Sequence, residues 1–306
     1  FCRVIEEYGV NILFTAPTAF RAIRKEDPCG TYKTKYDTSS LKYLFLAGER
    51  CDISTLHWLE NLLKVPVIDH WWQTETGWAM ASNPMGIEPL EVKAGSPTVA
   101  VPGYDIRVLD DEGMEVPRGE SGNIVAKLPL PPGTLPTLWG NRQRYFDTYL
   151  SRFEGYYLSG DAGVVDEQGY VWVMSRIDDV INVAGHRLST GALEEALATN
   201  RVVAECAVIG VEDKLKGEMP LGFVVLNAGV DVDEAELRKQ LVQTVRSLVG
   251  PIATPRDILV VKRLPKTRSG KILRATMRKI AQGEEYKVPA TIEDPAVLRE
   301  IAEDLG

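Results

Sequence analysis

The twelve residues Arg176-Ile177-Asp178-Asp179-Val180-Ile181-Asn182-Val183-Ala184-Gly185-His186-Arg187 separate two styles of sequence. Ahead of them, residues 169–175 (Gly-Tyr-Val-Trp-Val-Met-Ser) read as an apolar hairpin arm behind the turn signal Asp166-Glu167-Gln168-Gly169. Behind them, residues 193–197 (Leu-Glu-Glu-Ala-Leu) have helical spacing, with Ser189 or Thr190 available as a cap. A short charged joint, residues 176–179, therefore lies between the two, and a glycine-containing loop follows it. The arginines at 176 and 187 carry planar forks that suit phosphate oxygens. By composition alone, the same stretch would serve as a solvated linker.

Upstream of the joint, residues 96–175 carry turn signals between short apolar runs, and predict a small antiparallel β-barrel with a Pro/Gly-rich excursion at 129–140. Residues 1–95 alternate helical pieces (1–8, 17–25, 52–63) with short apolar strands (11–14, 43–46, 66–68). That alternation predicts a mostly parallel α/β sheet, which binds ligands at the carboxyl ends of its strands. Two loops leave such ends: Ala47-Gly48-Glu49-Arg50, and Asp69-His70-Trp71-Trp72-Gln73-Thr74-Glu75-Thr76-Gly77.

Downstream, residues 179–306 predict a compact α+β unit with strands at 204–211, 221–226 and 258–264. Asp233, with Glu236 three residues on, signals a capped helix. Leu237, Leu241, Val245, Leu248 and Val249 form its expected apolar face, with Arg246 beside it. Then come Pro265-Lys266-Thr267-Arg268-Ser269-Gly270-Lys271 and a basic helix to about residue 283. The expected domains are 1–177, divided into an α/β part (1–95) and a β part (96–177), and 178–306.

Composition narrows the class. The 306 residues suffice for about two domains, and 44% hydrophobic with 25% charged residues is ordinary for a globular core. A net charge of −8 gives no basic field for nucleic acid or an anionic membrane, and no apolar run is long enough to span one. Four scattered cysteines and three scattered histidines show no metal-ligand spacing and favour a reducing compartment. The chain opens at Phe1 without a targeting pattern, and reads as the C-terminal portion of a longer protein.

Several residues carry chemistry on their own account. In the loop after residue 68, Thr74 can donate to a phosphate oxygen, and Glu75 can ligate Mg²⁺, a hard cation. An aromatic core followed by a polar turn would look the same. Asp161 closes Tyr156-Tyr157-Leu158-Ser159-Gly160-Asp161, which alone signals a turn. Lys271 stands on a glycine-containing loop that is no P-loop, because Pro265 occupies the place of the first glycine.

Taken together, these stretches resemble a known family. R-x-D-D-V-I-N-V-x-G-H-R resembles the hinge motif of the adenylate-forming superfamily, in the form found in AMP-forming short-chain acyl-CoA synthetases. W-W-Q-T-E-T-G at 71–77 is similar to the adenine-and-metal motif of its acetate and propionate branch, and P-K-T-R-S-G-K to its catalytic-lysine motif. The resemblance covers essentially the whole chain. The chain in turn matches only about the second half of the family, without its phosphate loop and part of its carboxylate pocket.

The resemblance implies ligation of a short carboxylate to CoA through an acyl-adenylate, with ATP, CoA and Mg²⁺ as cofactors and small molecules as partners. Residues 69–73 (Asp69, His70, Trp71, Trp72, Gln73) would lie along the adenine, with Gly48 and Glu49 packing on it; Arg50 stands where proline is common. Thr74 would bind the α-phosphate, Glu75 the metal, and Asp161 the ribose hydroxyls. Val173 would pack on the adenine, and Arg176 would touch ribose or phosphate. Lys271 would bridge carboxylate and α-phosphate, and Asp178 would be the hinge. Gly185 would line the pantetheine tunnel, while Arg246 and Arg187 would serve phosphates. Trp72 would close the acyl pocket, and Ala47, where acetate enzymes tend to have valine, implies propionate over acetate. The expected compartment is the cytoplasm, or the mitochondrial matrix in a eukaryote. Two alternatives stand beside this reading: another adenylating ligase of the superfamily, or a nucleotide-binding fragment without catalysis.

Overall fold

In a computed structural model of the chain, residues 1–268 and 270–306 are described. The chain begins with α1 (Cys2–Tyr8), β1 (Ile12–Thr15), α2 (Pro17–Glu26), β2 (Tyr43–Leu46), α3 (Ile53–Leu63) and β3 (Val67–Asp69). The strands pair in parallel in the order β1-β2-β3, as the alternation of helix and strand predicts. Asp52 starts α3 by accepting a hydrogen bond from the Thr55 N–H at 2.8 Å. Leu56, Leu59 and Leu63 bury its inner face. Both loops predicted to carry function leave the carboxyl ends of β2 and β3.

From here the chain becomes antiparallel. Strands β4 (Trp71–Trp72), β5 (Ala79–Ser82) and β6 (Val99–Ala100) form one small sheet. Strands β7 (Ile106–Leu109), β8 (Gly122–Lys127), β9 (Tyr156–Val165) and β10 (Val171–Arg176) form another, in the order β10-β9-β8-β7. The expected closed barrel is not present. Closure needs the outer strands to pair with each other, and here their edges are taken locally. Along β10, the Val171 N–H donates to the Thr98 carbonyl (2.7 Å), and the Ser96 hydroxyl donates to the Val171 carbonyl. Along β7, the returning chain supplies Val116 N–H to Val108 O (3.0 Å). A helix absent from the sequence reading, α4 (Arg142–Tyr149), stands between β8 and β9 in the chain and is capped by Asn141.

The rest of the chain comprises β11 (Ile181–Val183), β12 (His186–Leu188), α5 (Thr190–Ala198), β13 (Val203–Asp213), β14 (Gly217–Leu226), α6 (Glu234–Leu248), β15 (Asp257–Val260), α7 (Arg274–Ala281) and α8 (Ala296–Leu305). One five-stranded sheet holds β12-β11-β14-β13, with β15 parallel on β14. Both of its faces are covered, which is why β13 and β14 are apolar almost without interruption. Val208, Val224 and Ile258 pack with Leu193 and Leu197 of α5 and with Leu237, Leu241 and Val245 of α6. Ile209, Phe223 and Leu259 pack with Met277 of α7 and with Val297 and Ile301 of α8. Leu248, expected on the apolar face of α6, is the last residue of the helix and is 63% exposed, whereas Val245 and Val249 on either side of it pack on the core.

Two compact units result: Phe1–Pro17 with Thr31–Asp178, and Thr18–Gly30 with Asp179–Gly306. Among the described residues, no helix is long and apolar enough to cross a membrane.

Candidate active site

In the first unit, the loop behind β3 is built as a tight polar turn. The Gln73 N–H donates to the Thr76 hydroxyl at 3.0 Å, and that oxygen lies 2.8 Å from the Trp78 carbonyl. Gly77 closes the turn at φ 69°, where a Cβ would lie 2.7 Å from the Gly133 carbonyl oxygen. The Pro/Gly-rich excursion thus lies against this loop. It also ties down its carboxylate residue, since the Leu135 N–H donates to the Glu75 carbonyl at 2.7 Å.

The loop meets β9 and β10 through Asp161. This carboxylate is 7% exposed and accepts from Trp71 Nε1 (3.1 Å), Gln73 Nε2 (2.9 Å) and the Arg176 guanidinium (3.2 Å). Burial pushes its pKa up, and Arg176, Trp71 and Gln73 pull against that shift. Arg176 also donates to the Ser159 carbonyl (3.1 Å), passing over Gly160, where a Cβ would meet its guanidinium. Sequence reading therefore named four residues that the structure brings together: Trp71, Gln73, Asp161 and Arg176. It missed those that lock them. Ser159 accepts from Gln73 Nε2 (2.6 Å) through its carbonyl. The Tyr157 hydroxyl donates to Gln73 Oε1 (2.8 Å), and the Tyr149 hydroxyl donates to Glu75 Oε1 (2.7 Å). The Tyr149 and Tyr157 rings stack with centroids 5.4 Å apart. Burial, with Glu75 adding to it, pushes the Tyr149 phenol up to about 12, and the more deeply buried Tyr157 also titrates high. The available signal was Tyr145 and Tyr149 at helical spacing.

Other sequence-named residues take different positions. Asp69 is buried and turns back on its own strand end, accepting from the Cys51 N–H at 3.2 Å. His70 is 4% exposed, inside an aromatic cage of Phe14, Phe45 and Trp78, with no hydrogen-bond partner on either ring nitrogen. Burial lowers its pKa. Ala47 is buried at the end of β2, and Gly48 follows it at φ 98°. Glu49, Trp72 and Val173 are half-buried; Thr74 and Asp178 are exposed.

The second unit carries the remaining candidates on separate elements. Gly185 forms the two-residue turn between β11 and β12 with Ala184, both at positive φ (84° and 50°), and no atom lies within 4 Å of where its Cβ would be. Arg187 is exposed on β12, and Arg246 in the last turn of α6. Lys271 is exposed on a loop that its own backbone closes, with Thr267 N–H on the Lys271 carbonyl at 2.8 Å. Ser269 of this motif lies outside the described residues.

A family model described as AMP-binding enzyme matches residues 1–131, and one described as AMP-binding enzyme C-terminal domain matches residues 192–271. The chain belongs to the AMP-binding enzyme family. Its curated relatives include an uncharacterized protein of Pseudomonas aeruginosa (56% identity over 98% of this chain and 48% of that protein). Another is acyl-CoA synthetase short-chain family member 3, mitochondrial, of Pongo abelii (48% over 100% and 45%). Among solved structures, an anthranilate CoA ligase in complex with anthranoyl-AMP has a TM-score of 0.80 at 29% identity, over 91% of this chain and 51% of that one. The chain thus spans about half the length of the relatives it matches.

Among the described residues, no cluster of three His, Cys, Asp or Glu could hold a metal. Glu75 gives one oxygen to Tyr149 and has one left for a cation. A cation there would draw its other ligands from phosphate and water, as Mg²⁺ does.

Proposed function

We propose that the protein containing this chain ligates a short carboxylate, propionate in preference to acetate, to CoA in an AMP-forming reaction. The observation that carries this reading is the buried Asp161 carboxylate, gathered with Trp71 and Gln73 behind a parallel strand end, one loop away from Thr74 and Glu75. A carboxylate is the natural acceptor for a diol. Three N–H groups already address Asp161, so a ribose would displace one of them. Arg176, half-exposed, is the partner able to turn away toward phosphate.

In the proposed reaction, the substrate carboxylate attacks the α-phosphate of ATP, giving acyl-AMP and pyrophosphate. Thr74 would donate to the α-phosphate, and Glu75 would hold Mg²⁺, which when bound would neutralise phosphate charge. Lys271 brings its ammonium to the charge that gathers in the transition state. The CoA thiolate then attacks the acyl carbon and AMP leaves. A turn at Asp178 would exchange Lys271 for the Gly185 turn, where the lack of a side chain leaves a passage for pantetheine, while Arg187 and Arg246 meet phosphates. His70, Trp71, Trp72 and Val173 would line adenine and acyl group, and Gly48 and Glu49 the opposite side of the base. Trp72 and Ala47 would size the pocket for about three carbons. None of the four cysteines forms a disulfide, in keeping with cytoplasm or mitochondrial matrix.

The test separates the half-reactions in the full-length protein. Lys271→Ala should lose acyl-AMP formation by about 10²–10³-fold, as when an oxyanion donor is removed, yet make thioester from supplied propionyl-AMP. Gly185→Leu should do the reverse. Equal loss of both activities in both variants would refute the two-conformation reading.

A further inference from the structure

We propose that Tyr149 is a positioning residue for Glu75, and that α4 exists to deliver its hydroxyl. The proposal rests on the assignment of Glu75 to a cation. Glu75 is held at two points: its carbonyl by the Leu135 N–H and its carboxylate by Tyr149, each at 2.7 Å. One carboxylate oxygen is thereby fixed, and the other is left in a set direction. A glutamate otherwise free to rotate about three bonds has its rotamers settled before a cation arrives, so that ordering cost is removed from binding.

The helix itself supports this role. No residue of α4 is fully buried, and within the helix Tyr149 is the residue that packs against the core of the antiparallel sheet. Its inward contacts are aromatic, with Tyr145 5.5 Å from Tyr149 and Tyr149 stacked on Tyr157. Tyr157 in turn holds Gln73, the partner of Asp161. Through this stack, the residue proposed for ribose and the one proposed for the cation share one rigid support.

The experiment measures Mn²⁺ binding by electron paramagnetic resonance to the full-length protein with a non-hydrolysable ATP analogue. It compares wild type, Tyr149→Phe, Tyr145→Phe, Glu75→Gln and the Tyr149→Phe/Glu75→Gln double variant. Tyr149→Phe keeps the stacked rings and removes one oxygen; it should weaken Mn²⁺ about tenfold, the lower end of losses seen for outer partners of metal ligands. Tyr145→Phe should match wild type, and the KM for propionate should stay unchanged in both. In the Glu75→Gln background, Tyr149→Phe should add nothing. Three results would overturn the proposal. If Tyr149→Phe binds within twofold of wild type while Glu75→Gln is weakened, Tyr149 positions nothing and the cation assignment stands. If Tyr149→Phe loses as much in the Glu75→Gln background, it acts through packing. If Glu75→Gln binds Mn²⁺ normally, the cation assignment falls and the proposal with it.

Discussion

Replacing Asp161 by asparagine should uncouple ligand binding from stability. Asparagine keeps one acceptor oxygen, which can still receive Trp71 Nε1 and Gln73 Nε2. Its amide then faces the Arg176 guanidinium, donor against donor, and that contact is lost. Arg176 is 51% exposed, so water takes its place, and the pair is worth no more than a surface one, about 0–1 kcal/mol. Against this, removing a charge whose pKa is raised by burial relieves a desolvation cost. The two effects oppose each other, and stability should change by less than about 1 kcal/mol. Nucleotide binding has no such offset. One of two charge-assisted bonds to the ribose disappears and the other becomes neutral, a loss of about 2–3 kcal/mol, or roughly 30–150-fold in Kd for AMP. Calorimetric titration of AMP into the full-length wild type and variant, beside urea midpoints, reads both quantities. A Kd within threefold of wild type, with the fold intact, would refute the assignment of Asp161.

His70 should make stability fall in acid. Its folded pKa is lowered by burial, so the unfolded chain binds the proton more readily; the stability it supports is full above about pH 6.5 and lost as pH falls below it. Between pH 7.5 and 5.5 the wild type should lose stability that His70→Phe keeps, read by urea unfolding; parallel pH profiles would show that the imidazole does not matter. Ala47→Val adds bulk at a buried wall and should move kcat/KM toward acetate by the roughly 1–3 kcal/mol that one methylene is worth. An unchanged propionate-to-acetate ratio would show that Ala47 lies outside the acyl pocket.

The sequence made legible whatever local pattern decides. The strand at residues 43–46 and the Leu56, Leu59 and Leu63 face of α3 were readable because short apolar runs and helical spacing are sufficient there. Asp233 caps α6 as its side chain predicts, accepting from the Ala235 and Glu236 N–H groups. What failed was long-range. Whether strands 106–176 close into a barrel depends on what occupies their edges, and the occupants are Ser96, Thr98 and Val116, which carry no strand signal of their own. The site divided in the same way. Motif residues such as Trp71, Glu75 and Asp161 could be named from wording, whereas Tyr149 and Tyr157 are joined to them only by folding, across 74 and 84 positions of sequence. Asp69 shows the converse: a residue within the motif whose side chain braces the loop at Cys51.

The central claim, that an acyl-adenylate forms at this site, is tested most directly by the fate of a carboxylate oxygen. The full-length protein would be supplied with propionate carrying ¹⁸O in both carboxylate positions, together with ATP, Mg²⁺ and CoA. If the carboxylate attacks the α-phosphate, one labelled oxygen becomes the bridge of propionyl-AMP and stays on phosphorus when the thiolate displaces AMP. The account predicts one ¹⁸O in each AMP phosphate and one in each thioester carbonyl, with unlabelled pyrophosphate. Unlabelled AMP, or label in pyrophosphate or orthophosphate, would contradict it.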